Sequence, residues 1–87
     1  MNRRDLILAP RAIKDLDEVP TRDADRIAQK LEQLANDPSS LDIRKLEGQG
    51  DEWRLRVGSW RVRFAFDDAT HSINILRILP RSRAYRD

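Results

Sequence analysis

The sequence contains no cysteine, and its only histidine is His71. Without cysteine the chain can form neither disulfides nor thiolate metal sites. One histidine in a polar loop also offers no Ser/His/Asp triad. Asp67 and Asp68 lie close to His71 in sequence, but a run rich in Asp, Ala, Thr and Ser is typical of a turn. We therefore expect no metal and no other cofactor.

Long hydrophobic runs are lacking as well. The longest near the N-terminus, residues 6–9, is too short for a signal-peptide core or a membrane span. We therefore expect a soluble cytoplasmic protein that makes no membrane contact. A chain of 87 residues without internal repeats predicts a single domain over residues 1–87. Charged residues make up 37% of it, but the apolar residues recur periodically, which indicates a folded chain.

Lysine is missing from residues 53–86, which contain eight arginines and only two acids. The net charge of +2 divides into −2 over residues 1–42 and +4 over residues 43–87. Arginine binds phosphate oxygens through a planar fork and keeps its charge at any relevant pH. A codon preference for arginine could supply part of the excess, but it would not explain the placement on one strand face. The asymmetry indicates a phosphate-binding surface in the C-terminal half.

Residues 53–63 alternate strictly between apolar and cationic side chains on both sides of Gly58-Ser59. This pattern predicts a β-hairpin with a type II′ turn. Its apolar face would place Trp53 and Trp60 in the core. Its other face would carry four arginines, namely Arg54, Arg56, Arg61 and Arg63. Because close guanidinium groups repel each other, we expect a polyanion to neutralise this face.

Two helices are predicted before the hairpin. Pro10 suits the first turn of one helix, and Pro20 ends it. Thr21 is the expected N-cap of the next helix, which residues 36–38 (Asn-Asp-Pro) terminate. The first buried stripe is expected to comprise Ala12, Ile13, Leu16 and Val19. The second, at i, i+3, i+4 and i+7 spacing, comprises Ala24, Ile27, Ala28, Leu31, Leu34 and Ala35.

The remaining segments are predicted strands. Residues 4–8 form a first strand at or near the edge of the sheet, and residues 43–46 have weak strand character. Residues 73–79 are almost continuously apolar, which predicts a central strand that Pro80 ends. The order is β-α-α-β-β-β, an α+β fold in which two N-terminal helices pack on one face of a twisted, mainly antiparallel sheet.

The polar side chains that could carry chemistry are almost all cationic. They are Arg54, Arg56, Arg61 and Arg63 in the hairpin, Arg77 in the last strand, and Arg81, Arg83, Tyr85 and Arg86 in the tail. Strand alternation places the hairpin arginines on the face opposite the helices. Tyr85 could pack at the end of the chain, stack on an unpaired base, or take part in proton transfer.

Four motifs follow one another along nearly the whole chain: APRAIKDL, LxxDP, LEGxxxxWRLRVGSWRVRF and ILRILPRSRAYR. In these motifs and their order the chain resembles the RelE family of toxins from bacterial and archaeal toxin–antitoxin pairs, within the RelE/ParE superfamily. This resemblance implies a toxin that cleaves mRNA in the ribosomal A site without metal. It also implies a silencing antitoxin partner, with operator DNA bound only through the toxin–antitoxin complex.

The resemblance further implies which side chains act. Catalytic roles are implied for Arg54, Arg56, Arg61, Arg81 (or Arg83) and Tyr85. The remaining arginines, Arg63, Arg77, Arg83 and Arg86, are expected to bind RNA. Many relatives have Gly-His-Arg where this chain has Leu79-Pro80-Arg81, so a general acid–base histidine is absent. Guanidinium cannot act as a base, and the Tyr85 pKa of roughly 10 would have to fall. We therefore expect cleavage only of a substrate that the ribosome holds in a distorted geometry.

Two alternative functions fit the same fold. One is a ParE-like toxin that poisons DNA gyrase and cleaves no RNA, which gyrase-dependent DNA damage with intact mRNA would reveal. The other is an inactive homologue that only binds its antitoxin and operator DNA, for which expression would not arrest growth.

Overall fold

The computed structural model describes residues 3–48 and 50–82. A five-stranded sheet carries two helices, and its strands are ordered β1-β5-β4-β3-β2. Only β1 and β5 are parallel, so the α+β prediction is confirmed. In chain order the elements are β1 (Asp5–Leu8), α1 (Pro10–Asp17), α2 (Thr21–Asn36), a 3-10 turn (Pro38–Ser40), β2 (Ile43–Lys45), β3 (Glu52–Val57), β4 (Trp60–Asp67) and β5 (Ser72–Pro80).

The position of each strand follows from its composition. The apolar strand β5 lies between β1 and β4, and β1 forms one edge of the sheet, as predicted. The weak segment at residues 43–46 forms the short strand β2 at the other edge. The β4–β5 pairing steps from Arg63–Arg77 to Phe64–Ile75, so Leu76 is the extra residue of a β-bulge.

The hairpin forms as predicted, with Trp53 opposite Phe64 and Val57 opposite Trp60. Gly58 has φ 58°, and Ser59 has no positive φ, which is the combination expected of a type II′ turn. Glycine meets this requirement because it lacks the Cβ that disfavours positive φ.

The core lies between the helices and one sheet face. Helix α2 buries Ile27, Leu31, Leu34 and Ala35 against strand residues such as Phe64. Fully burying a side chain of this size contributes about 1.5–3 kcal/mol. Trp53 and Trp60 are half-buried and pack against this core, as predicted.

Three helix predictions were wrong. Ile13 is 51% exposed, because α1 contacts the core through Ala12 and Leu16, followed by Val19 just after the helix, and leaves Ile13 beside that stripe. Ala28 is also exposed. Thr21 is the first helical residue of α2 and makes no capping hydrogen bond; Pro20 precedes the helix.

The margin of β5 beyond the end of β1 is covered by α1. Strand β1 pairs with β5 only as far as Ile75, so the following residues have no strand on that side. There the Asp15 carboxylate accepts a hydrogen bond from the backbone N–H of Ile78 at 2.9 Å. Within residues 3–48 and 50–82, no helix is long and apolar enough to cross a membrane.

Candidate functional site

The sheet face opposite the core residues carries a row of four arginines, one on each of four adjacent strands. The pairing registers place Arg44 opposite Arg54, Arg54 opposite Arg63, and Arg63 opposite Arg77. We refer to these four residues as the arginine row. Neighbouring strands lie about 4.8 Å apart, so the row concentrates positive charge along a line perpendicular to the strands.

Carboxylates within the protein compensate one end of the arginine row. Nε of Arg63 donates to Oε1 of Glu52 at 2.9 Å, and Nη2 of Arg63 lies 2.7 Å from the same oxygen. Nε of Arg77 donates to Oδ2 of Asp15 at 2.8 Å, and its Nη2 donates to Oδ1 at 3.2 Å. We expected a polyanion to neutralise the hairpin arginines, but Glu52 already pairs with Arg63 within the protein.

The other end of the row has much weaker compensation. Nη1 of Arg54 lies 3.5 Å from Oδ1 of Asp42, the longest of the ion pairs among the described residues. Arg54 is nevertheless only 8% exposed, and its Nε is buried without an acceptor. Arg44 is exposed and forms no ion pair within residues 3–48 and 50–82. The charge of the row is thus least compensated at β2 and β3.

A second pair of arginines lies nearer the hairpin turn. Arg56 of β3 is directly opposite Arg61 of β4. Arg61 is 4% exposed, and its Nη1 donates to the carbonyl oxygens of Gly58 and Trp60, both at 2.9 Å. The Arg56 side chain is exposed and makes no hydrogen bond in the part of the chain that the structure describes; its backbone N–H donates to the carbonyl oxygen of Asp42 at 3.1 Å. Arg61 is therefore fixed against the turn, whereas Arg56 can reach a ligand.

Arg81 joins this pair at the same end of the sheet. Its backbone N–H donates to the carbonyl oxygen of Ser59 at 2.8 Å, which extends the β4–β5 ladder to the turn. The Arg81 side chain is exposed. We refer to Arg56, Arg61 and Arg81 as the turn cluster. Arg83, Tyr85 and Arg86, which were also predicted to act, lie outside the described residues.

The turn cluster can bind and polarise a phosphate, because guanidinium groups donate charge-assisted hydrogen bonds to its oxygens. It contains no group that could take up a proton at neutral pH. No group of three or more Asp, Glu, His or Cys suited to a metal ion occurs within residues 3–48 and 50–82.

The sequence interpretation missed the acids that position the arginines and the edge residue Arg44. The pair of Glu52 and Arg63 could have been found from the hairpin register, because Glu52 lies two residues before Arg54, the cross-strand neighbour of Arg63. The pair of Asp15 and Arg77 joins a helix to a distant strand, and no local sequence signal reveals it.

Three comparisons with known proteins agree on one superfamily of toxins. The family model described as "ParE toxin of type II toxin-antitoxin system, parDE" matches residues 6–85. Toxin RelE3 of Methanocaldococcus jannaschii is 32% identical over 84 residues, which cover 92% of this chain and 93% of that protein. A chain of the archaeal RelE-RelB complex from Pyrococcus horikoshii is 30% identical with a TM-score of 0.77, covering 97% of this chain and 100% of that chain.

A second solved structure agrees with these matches. In the RelB-RelE antitoxin-toxin complex from Methanococcus jannaschii, one chain is 30% identical with a TM-score of 0.76, covering 92% of this chain and 95% of that chain. The family match thus spans residues 6–85, and the two structural matches cover 92–97% of this chain. The chain belongs to the RelE family of type II toxins, within the RelE/ParE superfamily.

Proposed function

We propose that this toxin cleaves ribosome-bound mRNA and so inhibits translation. The observation that carries the proposal is the turn cluster, where exposed Arg56 lies directly opposite the anchored Arg61 and Arg81 lies at the same end of the sheet. Three guanidinium groups at one end of the helix-free face suit a phosphate that gains charge during reaction. Similarity to proteins named RelE toxins supports the same reading.

The reaction would use the 2′-OH of the RNA as nucleophile. Its oxygen attacks the adjacent phosphorus, the bond from phosphorus to the 5′-oxygen breaks, and a cyclic phosphate forms. One proton leaves the 2′-OH and one reaches the departing 5′-oxygen. Arg56 and Arg81 would donate hydrogen bonds to the phosphate oxygens, and Arg61 would add positive potential from its fixed position. Losing one preorganised donor of this kind typically costs ~10²–10³ in rate.

Proton transfer in this reaction depends on groups outside the turn cluster. Arginine cannot accept the 2′-OH proton, and Tyr85 is the titratable side chain that the sequence places nearest. A tyrosine whose pKa stays near its usual value of roughly 10 is a slow base at neutral pH. We therefore propose that the ribosome supplies an RNA geometry close to in-line attack, and that free RNA is cut slowly or not at all.

An antitoxin partner completes the proposal. The related RelE chains described above were solved as complexes with RelB. In this toxin the edge strands β1 and β2 leave backbone groups available for an added strand. The sheet face that carries the arginine row suits an acidic peptide. Such a partner would also stabilise a domain of only 87 residues. Operator DNA would be bound through that complex.

The test is cleavage of mRNA on purified, programmed ribosomes. Arg56→Ala is expected to slow cleavage by ~10²–10³, because Arg56 is an exposed donor of the turn cluster. Arg22→Ala is the matched control, since Arg22 is an exposed arginine of α2 and belongs to neither the arginine row nor the turn cluster. Tyr85→Phe tests the proposed proton transfer. Unchanged cleavage by both Arg56→Ala and Tyr85→Phe, in folded protein, would contradict these site assignments.

A second candidate function is inhibition of DNA gyrase. It is favoured by the matched family model, which describes ParE toxins, and by the internal hydrogen bonds that engage Arg61, Arg63 and Arg77. Gyrase incubated with supercoiled DNA and the toxin distinguishes the two functions. Accumulation of linear DNA, together with intact ribosome-bound mRNA, would establish gyrase as the target and contradict the nuclease proposal.

A further inference from the structure

A cleft of about 540 Å³ lies at the β2 edge of the sheet, next to the poorly compensated end of the arginine row. Its lining is strongly cationic, with Glu47 as the one acid. The lining residues are Arg44, Lys45, Leu46, Glu47 and Arg54. None of the functional assignments above uses Arg44 or Lys45.

Arg54 gives this cleft the character of a binding site. Its side chain is 10% exposed, yet its Nε has no acceptor and its nearest carboxylate oxygen is 3.5 Å away, on Asp42. A buried charge without close partners is costly, and leaving a charged donor unsatisfied costs more than leaving a neutral one. An anion in the cleft would give the Arg54 guanidinium a closer acceptor than the Asp42 carboxylate.

Arg44 adds to this cost. It lies directly opposite Arg54 on the neighbouring strand, and like charges in that position destabilise a sheet. Neither Arg44 nor Lys45 forms an ion pair with any residue that the structure describes. Two guanidinium groups on adjacent strands, whose backbones lie about 4.8 Å apart, suit the oxygens of a phosphate, and Lys45 lines the same cleft.

We propose that Arg44 and Arg54 form a phosphate-binding subsite for the RNA backbone, with Lys45 at its rim. The proposal rests on the proposed RNA cleavage and extends it. Arg54 thereby becomes a residue that holds RNA next to the reacting phosphate, while the turn cluster contacts the reacting phosphate itself.

The spacing between the turn cluster and the cleft favours RNA over other anions. Arg54 and Arg56 are two residues apart on β3 and share one sheet face, which places them roughly 7 Å apart along the strand. An extended RNA strand whose reacting phosphate lies at the turn cluster can therefore continue to the cleft at a neighbouring phosphate. The subsite would thereby determine which phosphate of the RNA lies at the turn cluster.

Binding of a non-cleavable RNA at several salt concentrations tests this subsite. The probe is a fluorescein-labelled single-stranded oligonucleotide, 2′-O-methylated throughout, and the readout is fluorescence anisotropy. For single strands the slope of log K against log salt changes by about 0.7 for each phosphate contact. Arg44→Ala should make the slope less negative by about 0.7, Arg44→Lys should restore it, and Arg22→Ala should match the wild type. An unchanged slope in Arg44→Ala would overturn the subsite.

A second arm separates RNA from an acidic protein segment. Labelled oligoglutamate of the same net charge should lose less affinity than the RNA when Arg44 is replaced by alanine. If the substitution weakens both ligands by the same factor, the cleft is a general anion or peptide site and the RNA assignment is overturned.

Ribosomal cleavage kinetics separate failure of the subsite from failure of the proposed function. Because the subsite holds RNA away from the reacting bond, Arg44→Ala should raise KM more than it lowers kcat. Cleavage by the wild type with an unchanged KM in Arg44→Ala would overturn the subsite alone. Absence of both cleavage and RNA binding in the wild type would overturn both.

Discussion

Removing the Asp15 carboxylate should destabilise the fold more than removing any exposed acid. Asp15 accepts two hydrogen bonds from Arg77 and one from the backbone of Ile78, and so joins α1 to the open margin of β5. Its side chain is 15% exposed and that of Arg77 is 21% exposed. Asp15→Ala therefore leaves a largely buried N–H and a largely buried guanidinium without this acceptor.

The size of the effect lies between two limits. Breaking a fully buried ion pair costs about 3–5 kcal/mol, whereas an exposed pair contributes about 0–1 kcal/mol. The exposures of Asp15 and Arg77 place Asp15→Ala at about 2–3 kcal/mol. Stability of ~0.05–0.15 kcal/mol per residue gives a domain of this size about 4–13 kcal/mol in total. Because 1 kcal/mol shifts the Tm of a small domain by roughly 4–8 °C, we expect a Tm lower by about 10–20 °C.

The assay is urea and thermal unfolding followed by circular dichroism. Asp17→Ala is the matched control, because Asp17 is an exposed acid at the end of the same helix. It should change the unfolding free energy by less than about 0.5 kcal/mol. Equal stability of Asp15→Ala and Asp17→Ala would refute the role assigned to Asp15.

The contribution of Asp15 should also depend on pH. Burial acts to raise the pKa of Asp15, but hydrogen bonds from Arg77 and Ile78, with the positive charges of Arg77 and Arg11, outweigh it and hold the pKa below its usual value. A carboxyl whose pKa is lower in the folded state stabilises the fold above its unfolded pKa of roughly 3.9. The difference in stability between the wild type and Asp15→Ala should be full at pH 7 and disappear as the pH falls through the folded pKa. A difference that grows below pH ~4 would contradict this assignment.

Two further substitutions test local features of the hairpin by urea unfolding. Gly58→Ala should cost about 1–2 kcal/mol, because φ at residue 58 is positive and the new Cβ would lie 3.1 Å from Nη1 of Arg26. Combining it with Arg26→Ala should relieve the contact but not the φ cost, so complete recovery would contradict the turn geometry. Glu52→Ala should cost about 1–3 kcal/mol, because it removes a carboxylate from nearly buried Arg63, and Glu47→Ala is the exposed control.

The sequence predicts elements whose signals are local and periodic. The hairpin register follows from strict alternation around Gly58, and that register alone places Arg56 opposite Arg61. Helix α2 follows from its apolar spacing and from the proline that comes after it. These features persist in the fold because burial of the same side chains stabilises both the element and the core.

Features that depend on tertiary neighbours could not be predicted in this way. Strand β2 has only three residues, and its pairing with β3 rather than its own composition defines it. The exposure of Ile13 depends on how α1 lies over the margin of β5. Which arginines pair with carboxylates of the protein also depends on partners that are distant in the chain, since Asp15 and Arg77 are separated by 62 positions.

The proposed role of the RNA 2′-OH as nucleophile can be tested directly on ribosomes. Ribosomes are programmed with an mRNA whose A-site codon contains either ribose or a single 2′-deoxyribose on the 5′ side of the cleaved bond. The account predicts cleavage of the all-ribose mRNA to a fragment ending in a 2′,3′-cyclic phosphate or 3′-phosphate. It also predicts no cleavage at the deoxy position. Equal cleavage of both mRNAs, or intact mRNA in both, would contradict it.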